Sequence, residues 1–207
     1  MTIPRAHDLL RVADIPRLLP AHAPAWVSGS LSVAPWVVVR RAPARRGWAP
    51  AGVRGPARSQ RYALEVPLET VVEHLAPEAL VERIPRAADD RPAIGALQTL
   101  APILEEMGLP WGPTGSVGFT LATGANALTR ESDLDLIIRT LRLLADPEMQ
   151  ALVDAVEHLA RRVDIQLELP AGAVWLTELA AGSARIMLRT TSGPCLCETG
   201  RLAAATA

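Results

Sequence analysis

The segment Asp133-Leu134-Asp135-Leu136-Ile137-Ile138-Arg139 constrains this chain more than any other. Its apolar, β-branched run predicts a buried strand. Residues two apart on a strand share a face, so the run opens with two carboxylates side by side. Two such groups repel at neutral pH, and apolar neighbours worsen the repulsion. A divalent cation is the natural compensation: Mg²⁺ (or Mn²⁺) takes a few carboxylate oxygens and completes its shell with phosphate and water. The competing account is that one or both aspartates cap a turn, because Ser132-Asp133 also has turn chemistry. A lone aspartate favours the turn; the pair leading an apolar strand favours metal binding.

Two further features bear on that choice. Gly115-Ser116 precedes a stretch readable as a short helix over 117–123, whose first amides would face an anion. It also reads as an ordinary turn. Asp164 stands between Val163 and Ile165 in the predicted strand 163–169, where an acid needs a partner. A third carboxylate closing a metal site fits it. So does an exposed strand face shared with Gln166 and Glu168.

The rest of the chain predicts a mixed α/β (α+β) fold in two parts. Residues 1–90 form a smaller basic N-terminal α+β domain. Residues 91–207 form a catalytic domain with a small mixed sheet backed by helices. His7–Val12 could start a short helix, and 35–41 reads as a strand. Residues 42–56, with Pro43, Gly47, Pro50, Gly52, Gly55 and Pro56, read as loop or hairpin. Segments 68–75 and 77–84 look helical, separated by Pro77. A linker fits 85–92. A helix over 94–107 must kink or divide at Pro102, and Asp146-Pro147 signals another running to about Arg161. Strands fit 163–169 and 184–190.

Charge is uneven along the chain. Residues 1–61 hold ten arginines against Asp8 and Asp14, whereas 62–207 hold eleven arginines against twenty acids. Two surfaces with different partners follow. The chain has no lysine, so phosphate must be gripped by arginine forks, helix N-termini or metal. With 49% hydrophobic and 21% charged residues, a packed core is expected and wholesale disorder is not. Cys195 and Cys197, the only cysteines, are too close to bridge and too few for zinc. No apolar run is long enough for a membrane span and no signal-like stretch opens the sequence, so a cytoplasmic location with no membrane partner is the expectation.

The order Gly-Ser, then Asp-x-Asp, then a strand aspartate resembles the nucleotidyltransferase (polymerase β-like) superfamily. A wider set of segments is similar to one family: 111–119 (Trp-Gly-Pro-Thr-Gly-Ser-Val-Gly-Phe), 121–124, 132–139, 5–10, 37–41, Gly52-Val53-Arg54-Gly55 with Arg58 and Arg61, 164–170 and Gly193-Pro194. They resemble malonate decarboxylase holo-acyl-carrier-protein synthases, also called phosphoribosyl-dephospho-CoA transferases. The resemblance implies transfer of the prosthetic group from 2′-(5″-triphosphoribosyl)-3′-dephospho-CoA to a serine of the apo acyl carrier protein of malonate decarboxylase, with release of diphosphate. It implies catalytic roles for Asp133 and Asp135. The superfamily pattern adds Asp164 as a third metal ligand that helps deprotonate the hydroxyl.

The basic N-terminal region suits so anionic a donor. Arg40, Arg41, Arg45, Arg46, Arg54, Arg58 and Arg61 are candidates for a clamp. Arg54, Arg58 and Arg61 flank a Gly-rich turn and, with Gly115 and Ser116, are assigned to phosphate. Any single arginine is equally well a solvated surface residue. The four histidines show no ligand or triad spacing and receive no role; Trp26, Trp36, Trp48, Trp111 and Trp175 could stack on adenine, but packing is the favoured reading for each. Two alternatives stay open: an NTP-dependent nucleotidyltransferase acting on a small molecule or protein, and a nucleic-acid-binding module using the Arg-rich region. Scarce aromatics and the absence of lysine weigh against the second, so no nucleic-acid partner is expected.

Overall fold

A computed structural model describes residues 3–57 and 59–205. Two sheets organise them, each built around its own apolar cluster.

The first sheet uses β1 (Leu9–Val12), β2 (Trp36–Val39), β3 (Trp48–Arg54), β4 (Arg61–Pro67) and β5 (Val71–Leu75) in the order β4-β3-β2-β1-β5, all antiparallel. Helices α1 (Ile15–Leu18) and α2 (Ala25–Val33) join β1 to β2, and Val27 and Leu31 of α2 pack into the core with Leu10, Val12, Val37, Val39 and Val53.

Several local expectations give way here. Residues 9–12 are a strand and not a helix, because Leu10 and Val12 bury on one face while Leu9 buries on the other. Within 68–75 only Leu68–Thr70 is helical, as one 3-10 turn; Val71–Leu75 is a strand in which Glu73 meets Arg11 across β1 at 2.8 Å. Adjacent β-branched residues and this cross-strand pair outweigh helical spacing. Residues 48–54 form a seven-residue strand despite Pro50. Pro77–Arg83 is helical, but of the 3-10 type.

The second sheet has the order β11-β10-β9-β8-β7-β6, from β6 (Trp111–Pro113), β7 (Leu134–Arg139), β8 (Val163–Leu169), β9 (Gly172–Trp175), β10 (Arg185–Thr190) and β11 (Gly193–Glu198). Only β7 and β8 pair in parallel, joined through α5 (Asp146–Glu157), as a crossover requires. Before the sheet comes α3 (Pro92–Glu106), which passes through Pro102 without a break. Around it lie α4 (Gly115–Thr123), α6 (Leu176–Ala180) and α7 (Thr199–Ala205).

Alternation divides the two faces of this sheet. Leu134, Leu136 and Ile138 of β7 and Val163, Ile165, Leu167 and Leu169 of β8 bury in the core with Leu97, Leu100 and Leu104 of α3. The opposite face carries Asp135, Ile137 and Arg139 beside Asp164, Gln166 and Glu168. That face meets the first sheet. A small apolar seam of Leu9 and Trp36 against Leu80 and Ala122 closes part of the contact.

Polar contacts close the rest. The buried Arg139 guanidinium donates to Asp8 at 2.9 Å, to Glu78 at 2.7 Å and to the Ala6 carbonyl at 2.9 Å. Asp8 also faces His74 at 2.7 Å. Burial works against the charge on Arg139, yet the two carboxylates more than offset it and raise its pKa above the usual arginine value. Arg41 pairs with Glu168 in the same junction.

Candidate active site

The polar face of β7 and β8 and the inner face of the β2–β3–β4 sheet enclose a cleft of about 550 Å³. Its chemistry is graded by position along the strands.

At the start of β7, Asp135 stands level with Asp164 on the parallel neighbour β8. Partners in register point to the same side, about 4.8 Å apart across the ladder. Asp133 lies two residues before Asp135, just outside the strand, where Leu134 N–H bonds the Arg162 carbonyl at 3.0 Å. Asp164 Oδ1 takes the Arg162 guanidinium, with Nη2 at 3.0 Å and Nε at 3.1 Å.

The Gly-Ser turn meets this group directly. Thr114 N–H donates to the Asp135 carbonyl at 2.8 Å, which ties the end of β6 to β7. The next residue, Gly115, has φ +58°, and a Cβ built on it would lie 2.0 Å from Asp135 Oδ2. Only a glycine lets the backbone pass so close to the carboxylate in that left-handed conformation. From there α4 begins, with Ser116 buried in its first turn, and the first amides of a helix lack partners within it.

Opposite stand the arginines of the first sheet. Arg54 and Arg61 are cross-strand partners in the β3–β4 ladder, and both line the cleft, as does Arg40, which directly follows β2. Like charges directly opposite weaken a ladder on their own, and here they place two guanidinium groups on the same side of the cleft. Among the described residues, Arg40 and Arg61 form no ion pair with a carboxylate. Arg58 lies outside the described residues.

The sequence therefore placed Gly115, Asp135, Arg54 and Arg61 in what is one cleft, with Asp133 and Asp164 on the adjoining strand ends. Ser116 backs it from α4. Three residues without an assigned role also line it: His7, Gln166 and Trp175. His7 sits at φ +72°, unusual for a side chain with a Cβ. A histidine at a strand entry, followed by a buried acid, was the available signal. Gln166 was visible only as a member of an alternating face.

The donor set suits a hard cation. Two carboxylates two residues apart offer oxygen ligands, and Gly115 leaves the room beside Asp135 that a side chain would fill. Among the described residues, no group of three His, Cys, Asp or Glu is arranged as a complete metal site, so substrate oxygens would supply the remaining positions.

Comparison with known proteins decides the family. Residues 5–77 match the model described as phosphoribosyl-dephospho-CoA transferase MdcG N-terminal domain, and residues 79–200 match its C-terminal domain. The chain belongs to the phosphoribosyl-dephospho-CoA transferase family. A Pseudomonas aeruginosa protein named phosphoribosyl-dephospho-CoA transferase is 44% identical over 195 residues, covering 94% of this chain and 92% of that one. Relatives of the same name in Pseudomonas putida strain GB-1 and Azotobacter vinelandii are each 43% identical; the alignments cover 94% and 92% of this chain and 93% and 91% of theirs. No solved structure matches. As a member of this transferase family the chain is an enzyme, and the two family segments meet in the first turn of the 3-10 helix Pro77–Arg83, which follows the last strand of the first sheet. No helix of the described residues is long and apolar enough to cross a membrane.

Proposed function

We propose that this transferase moves the phosphoribosyl-dephospho-CoA group from its triphosphate precursor to a serine of the apo acyl carrier protein of malonate decarboxylase, releasing diphosphate, in the cytoplasm. The observation that carries this reading is the close packing of Gly115 on Asp135, facing paired Arg54 and Arg61 across one cleft.

Asp133 and Asp135 would hold Mg²⁺ or Mn²⁺, with Asp164 beside them. When bound, the ion supplies charge neutralisation at the attacked phosphate and the departing diphosphate. Arg54 and Arg61, with the amides at Gly115 and Ser116, bind the phosphates and orient the chain of the donor. Arg58, adjoining the same turn, is assigned the same task. The serine Oγ forms a bond to phosphorus as the bond to the diphosphate oxygen breaks. The serine proton passes to Asp164 Oδ2, because Arg162 engages Oδ1.

Two other readings receive less support. An ATP-dependent nucleotidyltransferase would share the carboxylates, but the named relatives do not carry that activity in their names. For a nucleic-acid arm too little charge is left over. Arg5, Arg11, Arg17, Arg41 and Arg45 each meet a carboxylate within the protein. The test is the intact mass of apo carrier protein after incubation with this enzyme, the triphosphoribosyl donor and Mg²⁺. A gain of one phosphoribosyl-dephospho-CoA unit is expected. No gain, or a nucleotidyl adduct formed with ATP instead, overturns the reading.

A further inference from the structure

Deeper in the cleft the charges cancel. Arg139 and Arg5 are matched by Asp8 and Glu78, and Arg41 is matched by Glu168. Between these pairs and the catalytic carboxylates lies one more level of β8, Gln166, two residues or about 6.6 Å along the strand from Asp164. His7 Nε2 lies 2.9 Å from Gln166 Oε1. Arg41 Nη2 reaches the same oxygen at 3.4 Å. The Arg41 guanidinium can only donate, which fixes that atom as the amide oxygen, and an oxygen acceptor requires a donor on the histidine. The imidazole proton is then on Nε2, and Nδ1 is the bare nitrogen. Gln166 keeps its NH₂ as donor. Trp175, the register partner of Gln166 on β9, adds an aromatic surface, with the Arg189 guanidinium 4.9 Å from its ring centre.

This level therefore presents a neutral acceptor, a neutral donor and an indole in one wall of the cleft. Burial first, then the Arg41 charge, lower the imidazole pKa and outweigh the Gln166 hydrogen bond and Glu168, which favour the charged form. The guanidinium groups nearest Gln166 and His7, Arg41 and Arg139, are already matched by carboxylates, which disfavours a phosphate beside them. A purine base with an exocyclic amino group does have partners. Adenine shows an N–H donor beside a ring-nitrogen acceptor, whereas hypoxanthine reverses the order, with a carbonyl acceptor beside a ring N–H.

From this geometry we infer that His7, Gln166 and Trp175 form the base-reading end of the cleft, taking the adenine of the dephospho-CoA donor while its phosphates lie toward Arg54, Arg61 and Gly115. The assignment rests on the donor proposed above. It also accounts for the positive φ of His7: the strained backbone aims the ring across the junction at Gln166, 159 residues away in sequence.

Calorimetric titration of the wild-type protein with 3′-dephospho-CoA and with its hypoxanthine analogue tests this, alongside His7→Asn and Gln166→Leu. Asparagine tolerates the left-handed backbone, so that variant keeps the strand entry intact. The wild type is expected to bind the adenine compound at least about tenfold more tightly, the lower end of what leaving a buried polar group unpaired costs. Both variants are expected to weaken adenine binding about tenfold and to bring the ratio near one. Equal binding of the two compounds by the wild type overturns the assignment alone and needs no variant. An unchanged ratio in both variants does the same. Failure of the wild type to bind either compound overturns the donor reading and this assignment with it.

Discussion

Replacing Gly115 by alanine is the most discriminating perturbation of the catalytic group. The new Cβ would fall 2.0 Å from Asp135 Oδ2 and 2.9 Å from its carboxyl carbon. Normal contact requires more than 3 Å, so the carboxylate must retreat by about 1 Å or the turn must open. A misplacement of about 1 Å at a reacting centre costs on the order of 100-fold in rate. The backbone strain at φ +58° adds about 1 kcal/mol, well within the roughly 5–15 kcal/mol that holds a domain folded. Gly124→Ala is the matched control. Gly124 also has a left-handed φ, +71°, but nothing lies within 4 Å of its would-be Cβ. Initial rates of mass transfer to the carrier protein, with urea unfolding in parallel, separate the two effects. Gly115→Ala should lose about 100-fold in kcat while Gly124→Ala stays within about threefold, with similar losses of stability. Wild-type rates in Gly115→Ala would refute the claim that this turn sets the position of Asp135.

Other outcomes follow from the same arrangement. Asp133→Asn and Asp135→Asn should each abolish detectable transfer with unchanged urea midpoints; undiminished turnover in either removes the proposed carboxylate roles. Arg61→Ala should raise the KM for the donor about tenfold with little change in kcat, and the deficit should shrink at high salt as screening weakens the wild type. Arg139→Met leaves Asp8 and Glu78 facing each other without their shared cation, and should cost about 3–5 kcal/mol in urea unfolding. His7 has a lowered pKa in the folded chain, so below its ordinary 6.5 the unfolded state binds the extra proton. Stability should then fall with decreasing pH below about 6.5, by at most about 1.4 kcal/mol per unit from this group, until its folded pKa is passed. His7→Asn should flatten that segment of the profile.

The second sheet was legible because its strands obey a simple period. In 134–139 and 163–169 one face is apolar throughout, and the aspartates mark where that rule breaks. The Gly-Ser turn was legible as chemistry, though its contact with Asp135 depends on β6 pairing with β7, which no local pattern specifies. The first sheet was read less well. Leu9, Leu10 and Val12 bury on two faces at once, so β1 shows no alternation. Residues 71–75 carry helical spacing, but a register with β1 that places Glu73 on Arg11 and His74 on Asp8 selects the strand. Such pairings lie 62 and 66 residues apart and cannot be seen from a window of the sequence.

The same limit explains why His7 drew no assignment. Alone it is a histidine near a strand entry. Its meaning comes from Gln166, and that contact exists only because Arg139 draws Ala6, Asp8 and Glu78 onto the face of β7. Arg139 ends the strand that begins right after Asp133 and carries Asp135, so one six-residue element sets both the carboxylate and the placement of the other sheet. The cleft belongs to neither sheet alone. Arg54 and Arg61 arrive from β3 and β4, Asp135 and Asp164 from β7 and β8, and the buried Arg139 ties the two sheets together. A buried ion network adds little stability compared with apolar packing, but mispairing it is costly. That asymmetry suits a junction whose task is to hold one orientation.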